Sequence, residues 1–357
     1  EAQLGAWGEP RYRSAQVFQW IQKRGVFDPA KMTNLPKSLR ARLAEEIGES
    51  PMHVHGGTRS ADRTRKLLVR ADDGRDVETV LIPQLTREEE GGPLVPGKVV
   101  TQCVSSQIGC AMGCVFCASG VAGLARHLSA AEILAQVHLG RAHLEGDERL
   151  RNLVFMGMGE PLHNYDAVAR ALVLITHEDG IGLSTRRVTV STSGLVPQID
   201  RLGRDFDGRV MLAISLHAVT DERRSSIMPI NRKHGLAELI QCLERYPMPK
   251  RRRITIEYTL IEGVNDDVRD ADKLKHLLRS VPVKINLIPM NPIEQSDLGA
   301  PTRRGVEAFR DRLRDLGMTC TIRHERGGSV DAACGQLALY GPDGEKAERT
   351  RRLPIAK

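Results

Sequence analysis

The 357-residue chain has no apolar run approaching the roughly 20 residues that a membrane helix needs. Its opening, Glu1-Ala2-Gln3-Leu4-Gly5, has neither the charged nor the apolar region of a signal peptide. Both absences give the expectation of a cytoplasmic protein with no membrane partner. Because the chain opens on Glu1 rather than Met, further residues are expected to precede it. Aromatic residues are scarce, with two Trp, five Tyr and six Phe, which argues against a broad base-stacking platform for single strands. The cysteines lack even pairing: Cys103, Cys110, Cys114, Cys117, Cys242, Cys320 and Cys334 are seven, and three of them fall within eight residues. Such crowding is not a disulfide framework, and clustered thiols in a reducing compartment more often bind metal or do chemistry. At 41% hydrophobic and 27% charged residues the composition is not that of a disordered chain.

What the chain has in excess is positive charge. Lys and Arg number 52 against 45 Asp and Glu, a net +7, and the pI near 9.1 favours a polyanionic partner, nucleic acid first. The basic runs Lys250-Arg251-Arg252-Arg253, Arg303-Arg304 and Arg349 to Arg352 are either solvated surface or contacts to RNA.

Val17 and Ile21, then Leu39, Leu43 and Ile47, recur at helical spacing on either side of Asn34-Leu35-Pro36, which predicts two short amphipathic helices and a small helical domain. From Arg65 to Pro83 the pattern turns strand-like, with Asp72-Asp73-Gly74 as the turn of a hairpin that links this domain to the next. Residues 84–98, containing Arg87-Glu88-Glu89-Glu90-Gly91-Gly92-Pro93, suit a solvated loop. Beyond Lys98, six apolar runs rich in β-branched residues alternate with helical patterns: Val99 to Val104, Leu153 to Met156, Val188 to Ser191, Val210 to Leu216, Ile254 to Leu260 and Ile285 to Ile288. This is an α/β chain with a parallel sheet, most naturally an open or complete βα barrel whose chemistry sits at the C-terminal strand ends. Ser129-Ala130-Ala131-Glu132 fits a capping box at the start of one crossover helix.

Directly after the first of these strands, Cys110-Ala111-Met112-Gly113-Cys114-Val115-Phe116-Cys117 puts three thiols on a glycine-containing loop. Three cysteines at x3 and x2 spacing can ligate three irons of a cubane and leave the fourth open, whereas electron-transfer clusters usually take four thiolates. Structural zinc is the alternative, although it prefers four ligands at paired spacing and no second pair follows nearby. On that alternative the chain is a non-catalytic, zinc-containing RNA-binding protein. Cys242 and Cys320 lie in apolar patterns and read as core residues.

The Cys-x3-Cys-x2-Cys loop after the first strand resembles the signature of the radical S-adenosylmethionine enzymes, and further segments resemble their RlmN/Cfr subfamily of RNA methyltransferases over nearly the whole chain. The resemblance implies a partial (βα)6 radical-SAM barrel over 99–330, preceded by a small helical, RNA-binding domain over 1–60 and a hairpin extension with a loop insertion over 61–98. A C-terminal segment over 331–357 completes the organisation. It implies a [4Fe-4S] cluster on Cys110, Cys114 and Cys117, with S-adenosylmethionine on its open iron and split by one electron to a 5′-deoxyadenosyl radical. Gly159 and Glu160, in Gly157-Met158-Gly159-Glu160-Pro161-Leu162, are then cofactor-binding residues, with Ser191, Ser215, Leu216, His217 and Asn291 at other strand ends. Asp331-Ala332-Ala333-Cys334-Gly335-Gln336-Leu337 resembles the subfamily's methyl-carrier loop. The resemblance implies that Cys334 is methylated by one S-adenosylmethionine and that a second supplies the radical, two per turnover. Cys103 matches the cysteine that resolves the protein–RNA adduct through a transient disulfide with Cys334. Glu78 matches a glutamate assigned as proton acceptor, and the choice of base between Glu78 and Cys103 stays open. The reaction implied is methylation of adenosine C2 in 23S rRNA near the peptidyl-transferase region and in tRNA beside the anticodon, with C8 methylation, which brings antibiotic resistance, as the rival. A monomer served by an electron donor such as flavodoxin is expected. Residues 84–98 depart from the subfamily as an insertion, read as an outward bulge.

Overall fold

The computed structural model describes residues 2–46, 50–87, 94–294, 296–323, 327 and 332–337. Short helices come first, Ala2–Ala6, Arg11–Phe18 continued by a wider turn over Gln19–Lys23, and Lys37–Glu46. Val17, Leu39 and Leu43 face one another with Leu4, Met32 and Leu35 in a small core of their own. The helical segment is shorter than the expected 1–60, because Met52–Arg59 is already a strand; Ile47, expected in the second helix, lies outside the described residues.

The strands are β1 Met52–Arg59, β2 Arg65–Ala71, β3 Asp76–Arg87, β4 Leu94–Cys103, β5 Gln107–Gly109, β6 Leu124–His127, β7 Arg149–Phe155, β8 Val188–Thr192, β9 Met211–Ser215, β10 Ile254–Leu260, β11 Val283–Pro289 and β12 Cys320–Ile322. All but the small β5–β6 pair form one sheet in the order β1-β2-β3-β4-β7-β8-β9-β10-β11-β12. The expected β2–β3 hairpin forms in the register Val69↔Val77, with Gly74 at φ +78° in its turn. It is not a separate linker, since β3 continues the sheet by pairing antiparallel with β4. The solvated loop expected over 84–98 is corrected in part: residues 84–87 and 94–98 are strand, with Arg87 opposite Leu94, and 88–93 lie outside the described residues. Polar side chains misled the reading here, because a ladder needs backbone groups rather than apolar ones.

From β4 onward the pairing is parallel through to β12. The six expected barrel strands are present, and Cys320–Ile322 adds a short seventh at the edge. Each crossover carries a helix, as parallel neighbours require: Ala130–Ala142, Tyr165–Thr176, Val196–Asp205, Leu236–Arg245, Arg269–Leu277 and Arg303–Asp315. The first begins with the capping box read from the sequence: Ser129 Oγ accepts from Glu132 N at 3.2 Å and Glu132 Oε2 accepts from Ser129 N at 2.7 Å. Covered on both faces, β10, Ile-Thr-Ile-Glu-Tyr-Thr-Leu, is buried at every position, its Thr and Glu residues included. No helix among the described residues is long and apolar enough to cross a membrane.

Candidate active site

The C-terminal ends of β4 and β7 to β11 converge on the cysteine loop. Gln136, from the first crossover helix, grips the chain just after β4 in both directions: its Oε1 accepts from Ser105 N at 2.9 Å and its Nε2 donates to Ser105 O at 3.0 Å. Gly109 then turns the chain into the loop at φ +74°, where a Cβ would sit 1.8 Å from Gly123 O. Cys110 and Cys114 are buried and Cys117 is half-buried. Burial pushes the Cys110 thiol up to about 12, and it raises Cys114 and Cys117 too, with Cys117 and Cys110 adding to the rise at Cys114. Three thiolates held together here need a positive group between them. Among the described residues no three His, Cys, Asp or Glu side chains converge as a single ion would require; a polynuclear cluster, whose irons take separate thiolates, sets no such condition. The donor set of Cys110, Cys114 and Cys117 thus fits an iron–sulfur cluster.

A cavity of about 160 Å³ opens beside these cysteines, walled by Gly159, Glu160, Ser191, Ser215, His217 and Asn291 among others. Gly159 sits at φ +99° with Gln107 so close that a Cβ would lie 2.5 Å from Gln107 Cβ. The same Gln107 accepts from Glu160 N at 2.8 Å. Glu160 is buried, with Oε1 accepting from Leu162 N at 3.1 Å and Oε2 from Ser193 N at 2.7 Å. Burial raises its pKa and these bonds pull it back. His217 has φ +59° and its Nδ1 accepts from Thr259 N at 2.9 Å, which leaves the proton on Nε2. Burial, then Arg224, lowers its pKa to about 3, so the ring is neutral. Leu216 differs from its expected companions: its side chain packs in the main core and it reaches the site only through its backbone, N donating to Glu257 O at 3.0 Å.

Cys334 stands on the other side of the loop. The segment 332–337 is tied down through main-chain groups: Ala118 N donates to Gly335 O at 2.8 Å, Ser119 Oγ to Leu337 O at 2.7 Å, and Asn291 Nδ2 to Cys334 O at 2.9 Å. Cys334 and Asn291 also line a second, larger cavity of about 850 Å³, which contains Cys103 and does not reach Cys110, Cys114 or Cys117. Cys103 is buried, and burial followed by Cys334 pushes its thiol up to about 12 while Arg323 opposes the rise. All seven cysteines are free, so no disulfide belongs to this state of the fold. Glu78 shares Cys103's sheet face, being two residues from Val80, which is paired with Cys103. It lines neither cavity, however, and its carboxylate meets Lys66 Nζ at 2.8 Å.

Four residues at the site escaped the sequence reading. Gln107 is one. Arg224, fully buried, donates to Leu216 O at 3.0 Å, Ser193 O at 2.6 Å and Ser215 O at 3.1 Å, tying the turns after β8 and β9 together. Arg323 lines both cavities, and Cys334 first, then Glu257 and Cys103, raise its pKa above the ordinary arginine value. Glu257 is buried in β10 with its pKa raised by burial and Oε2 without a hydrogen-bond partner. A lone carboxylate in the apolar run Ile254 to Leu260 was the available signal for Glu257; the arginines had none, since their partners are distant in sequence.

A parallel βα sheet with three loop cysteines at its C-terminal edge and a glycine–glutamate turn beside them defines a radical S-adenosylmethionine enzyme. The family model described as the Radical SAM superfamily matches residues 104–274, and that of the ribosomal RNA large subunit methyltransferase N-terminal domain matches 1–48. A crystal structure of a radical SAM methyltransferase from Sphaerobacter thermophilus superposes with a TM-score of 0.86 at 43% identity, covering 94% of this chain and 95% of that one. The dual-specificity RNA methyltransferase RlmN of Sorangium cellulosum is 58% identical over 95% of this chain and 93% of its own length. That of Geobacter sulfurreducens is 48% identical over 92% and 87%. The chain belongs to the RlmN family of radical S-adenosylmethionine methyltransferases, whose cofactors are S-adenosylmethionine and a [4Fe-4S] cluster.

Proposed function

We propose that the protein methylates C2 of an adenosine in 23S rRNA, near the peptidyl-transferase region, and of an adenosine beside the anticodon in tRNA, using Cys334 as methyl carrier and two S-adenosylmethionine molecules per turnover. One observation carries the reading: Cys334 faces both cavities, one walled by the cluster cysteines and the other by Cys103. A residue that is loaded on one side and delivers on the other needs that position. Cys110, Cys114 and Cys117 hold the cluster, and Gly159, Glu160, Ser191, Ser215, His217 and Asn291 hold S-adenosylmethionine, with Leu216 contributing its backbone. Together the two groups, when bound, supply the methyl group and the one-electron cleavage that yields a hydrogen-abstracting radical.

The chain's own residues do the rest. Cys334 takes the methyl group as a thioether and keeps it beside the substrate cavity, where Asn291 fixes its backbone. His217 stays neutral and offers Nε2–H rather than a charge. Cys103 opens on the same cavity as Cys334, which supports it over Glu78 as the group that receives the adduct proton and then pairs transiently with Cys334 as methylated RNA leaves. Its thiolate is disfavoured by burial, and Arg323 is the cation available to offset that cost. Glu78, ion-paired with Lys66, supports the sheet face behind. A monomer reduced by a flavodoxin-type donor completes the proposal.

Mass spectrometry of freshly expressed protein should find Cys334 carrying one methyl group, and Cys334→Ala should abolish RNA methylation. Nuclease digestion of treated rRNA should release 2-methyladenosine. Release of 8-methyladenosine instead would assign the C8 reaction, and activity retained in Cys334→Ala would remove the carrier mechanism.

A further inference from the structure

The larger cavity does not end at the two thiols. It continues outward along the helix Arg303–Asp315, where Arg303, Glu307, Arg310 and Arg314 all line it. Their spacing of four, three and four places them on one stripe of the helix. The neighbouring stripe, Val306, Phe309 and Leu313, is buried against the sheet, so the basic stripe is fixed in direction by the core. Burial of three such side chains keeps the helix from rolling. With Arg323 at the inner end, the cavity wall carries four arginines against one glutamate among the described residues.

The existing partners do not exhaust the arginines. Arg303 Nε donates to Glu307 Oε1 at 2.9 Å, but its side chain is 92% exposed. Arg310 Nε donates to Asp311 Oδ1 at 2.7 Å, an exposed neighbour that competes weakly with a polyanion. Arg314 uses Nε and Nη2 on Cys320 O, at 3.2 and 3.1 Å, a neutral acceptor, with Asp311 on the same helix the carboxylate that feels its charge. Guanidiniums in a row on an open cavity wall, Arg303 exposed and Arg310 half-buried, suit phosphate, to which they can bind through paired N–H groups. The cavity's 850 Å³ is room for a nucleotide or more.

We infer that the helix Arg303–Asp315 is the phosphate rail of the substrate site: Arg303, Arg310 and Arg314 bind the backbone of the RNA strand that flanks the target adenosine, while the base itself enters towards Cys103 and Cys334. This rests on the RNA methyltransferase reading above. Base recognition stays with the inner residues, so the rail serves rRNA and tRNA alike, by charge rather than by sequence.

The test uses cluster-loaded holoenzyme and an RNA hairpin containing the target adenosine. Binding is measured against salt, with kcat and KM from methylation assays alongside. The double variant Arg303→Gln/Arg310→Gln should flatten the plot of log affinity against log salt by about 0.7 for each lost phosphate contact on a single strand. It should also raise KM about tenfold or more and leave kcat within about twofold. Arg310→Lys, which keeps the charge, should restore most of the salt slope, and Arg269→Gln on a different helix should change nothing. A double variant that folds, methylates RNA and shows the native slope and KM overturns the rail alone, leaving the methyltransferase reading intact. A native enzyme that neither binds nor methylates the hairpin overturns both.

Discussion

Arg224 holds in place two of the strand ends that wall the candidate cofactor cavity. It is fully buried and joins the carbonyls of Ser193, Ser215 and Leu216, so the turns after β8 and β9 share one guanidinium. Burial lowers its pKa to about 10, which leaves it charged at neutral pH. Truncation to Arg224→Met would take this donor from the buried Ser193 O and Asn231 Oδ1, at about 1–3 kcal/mol for each acceptor left unpaired. Thermal melting should show a loss of several degrees, and S-adenosylmethionine affinity should drop with it, because Ser193 N would no longer be held against Glu160. Cys103→Ala tests a different residue-scale claim. It should leave the melting temperature nearly unchanged and trap a covalent protein–RNA species, visible as a shifted band on a denaturing gel; normal turnover by this variant would remove Cys103 as the resolving thiol and leave the base role to Glu78.

At the scale of elements, the cluster loop and the segment 332–337 are one unit. Ala118 N and Ser119 Oγ reach the carbonyls of Gly335 and Leu337, so whatever orders the loop also orders the carrier. Removing iron with a chelator should therefore raise amide exchange in 332–337 as well as in 110–120, and lower the melting temperature, since a group bound only by the native state stabilises it. Protection in 332–337 that is indifferent to iron would separate the two. The elements themselves were largely legible. Runs of β-branched residues announced the barrel strands, and Ser129 with Glu132 announced a helix start, because those signals are local. Less was visible where the cause is not local. β1 carries the polar sequence Met-His-Val-His-Gly-Gly-Thr-Arg and is a strand because β2 offers it a ladder. Arg323 and Arg224 join the site only once the sheet brings remote strand ends together.

For the molecule as a whole, pH is the informative variable. His138 and His217 are both buried and their pKa values are lowered to about 4 and about 3 from 6.5, burial being the main cause. The unfolded chain therefore binds more protons than the native one below pH 6.5, and stability falls as pH drops through that window, by up to about 1.4 kcal/mol per pH unit for each histidine. Glu160 and Glu257, raised by burial, act with the opposite sign: the stability they contribute is lost as pH rises through their shifted range. The difference between native protein and His138→Gln isolates one histidine. The variant's melting temperature should decline less between pH 6.5 and 4.5, and parallel curves would show that His138 is not carried neutral in the fold.

The way 332–337 is anchored has a consequence for what could stand at its centre. Its docking uses Ala118, Ser119 and Asn291, each donating to a carbonyl oxygen of the segment, and Gln336, whose Nε2 donates to Pro292 O at 3.1 Å. The address is thus written in the partners, the backbone and the neighbours of position 334, such as Gln336 and Leu337, while the Cys334 side chain makes none of these bonds. A selenocysteine introduced there would be delivered to the same place, and the scaffold would accept a new carrier atom without relearning where to put it.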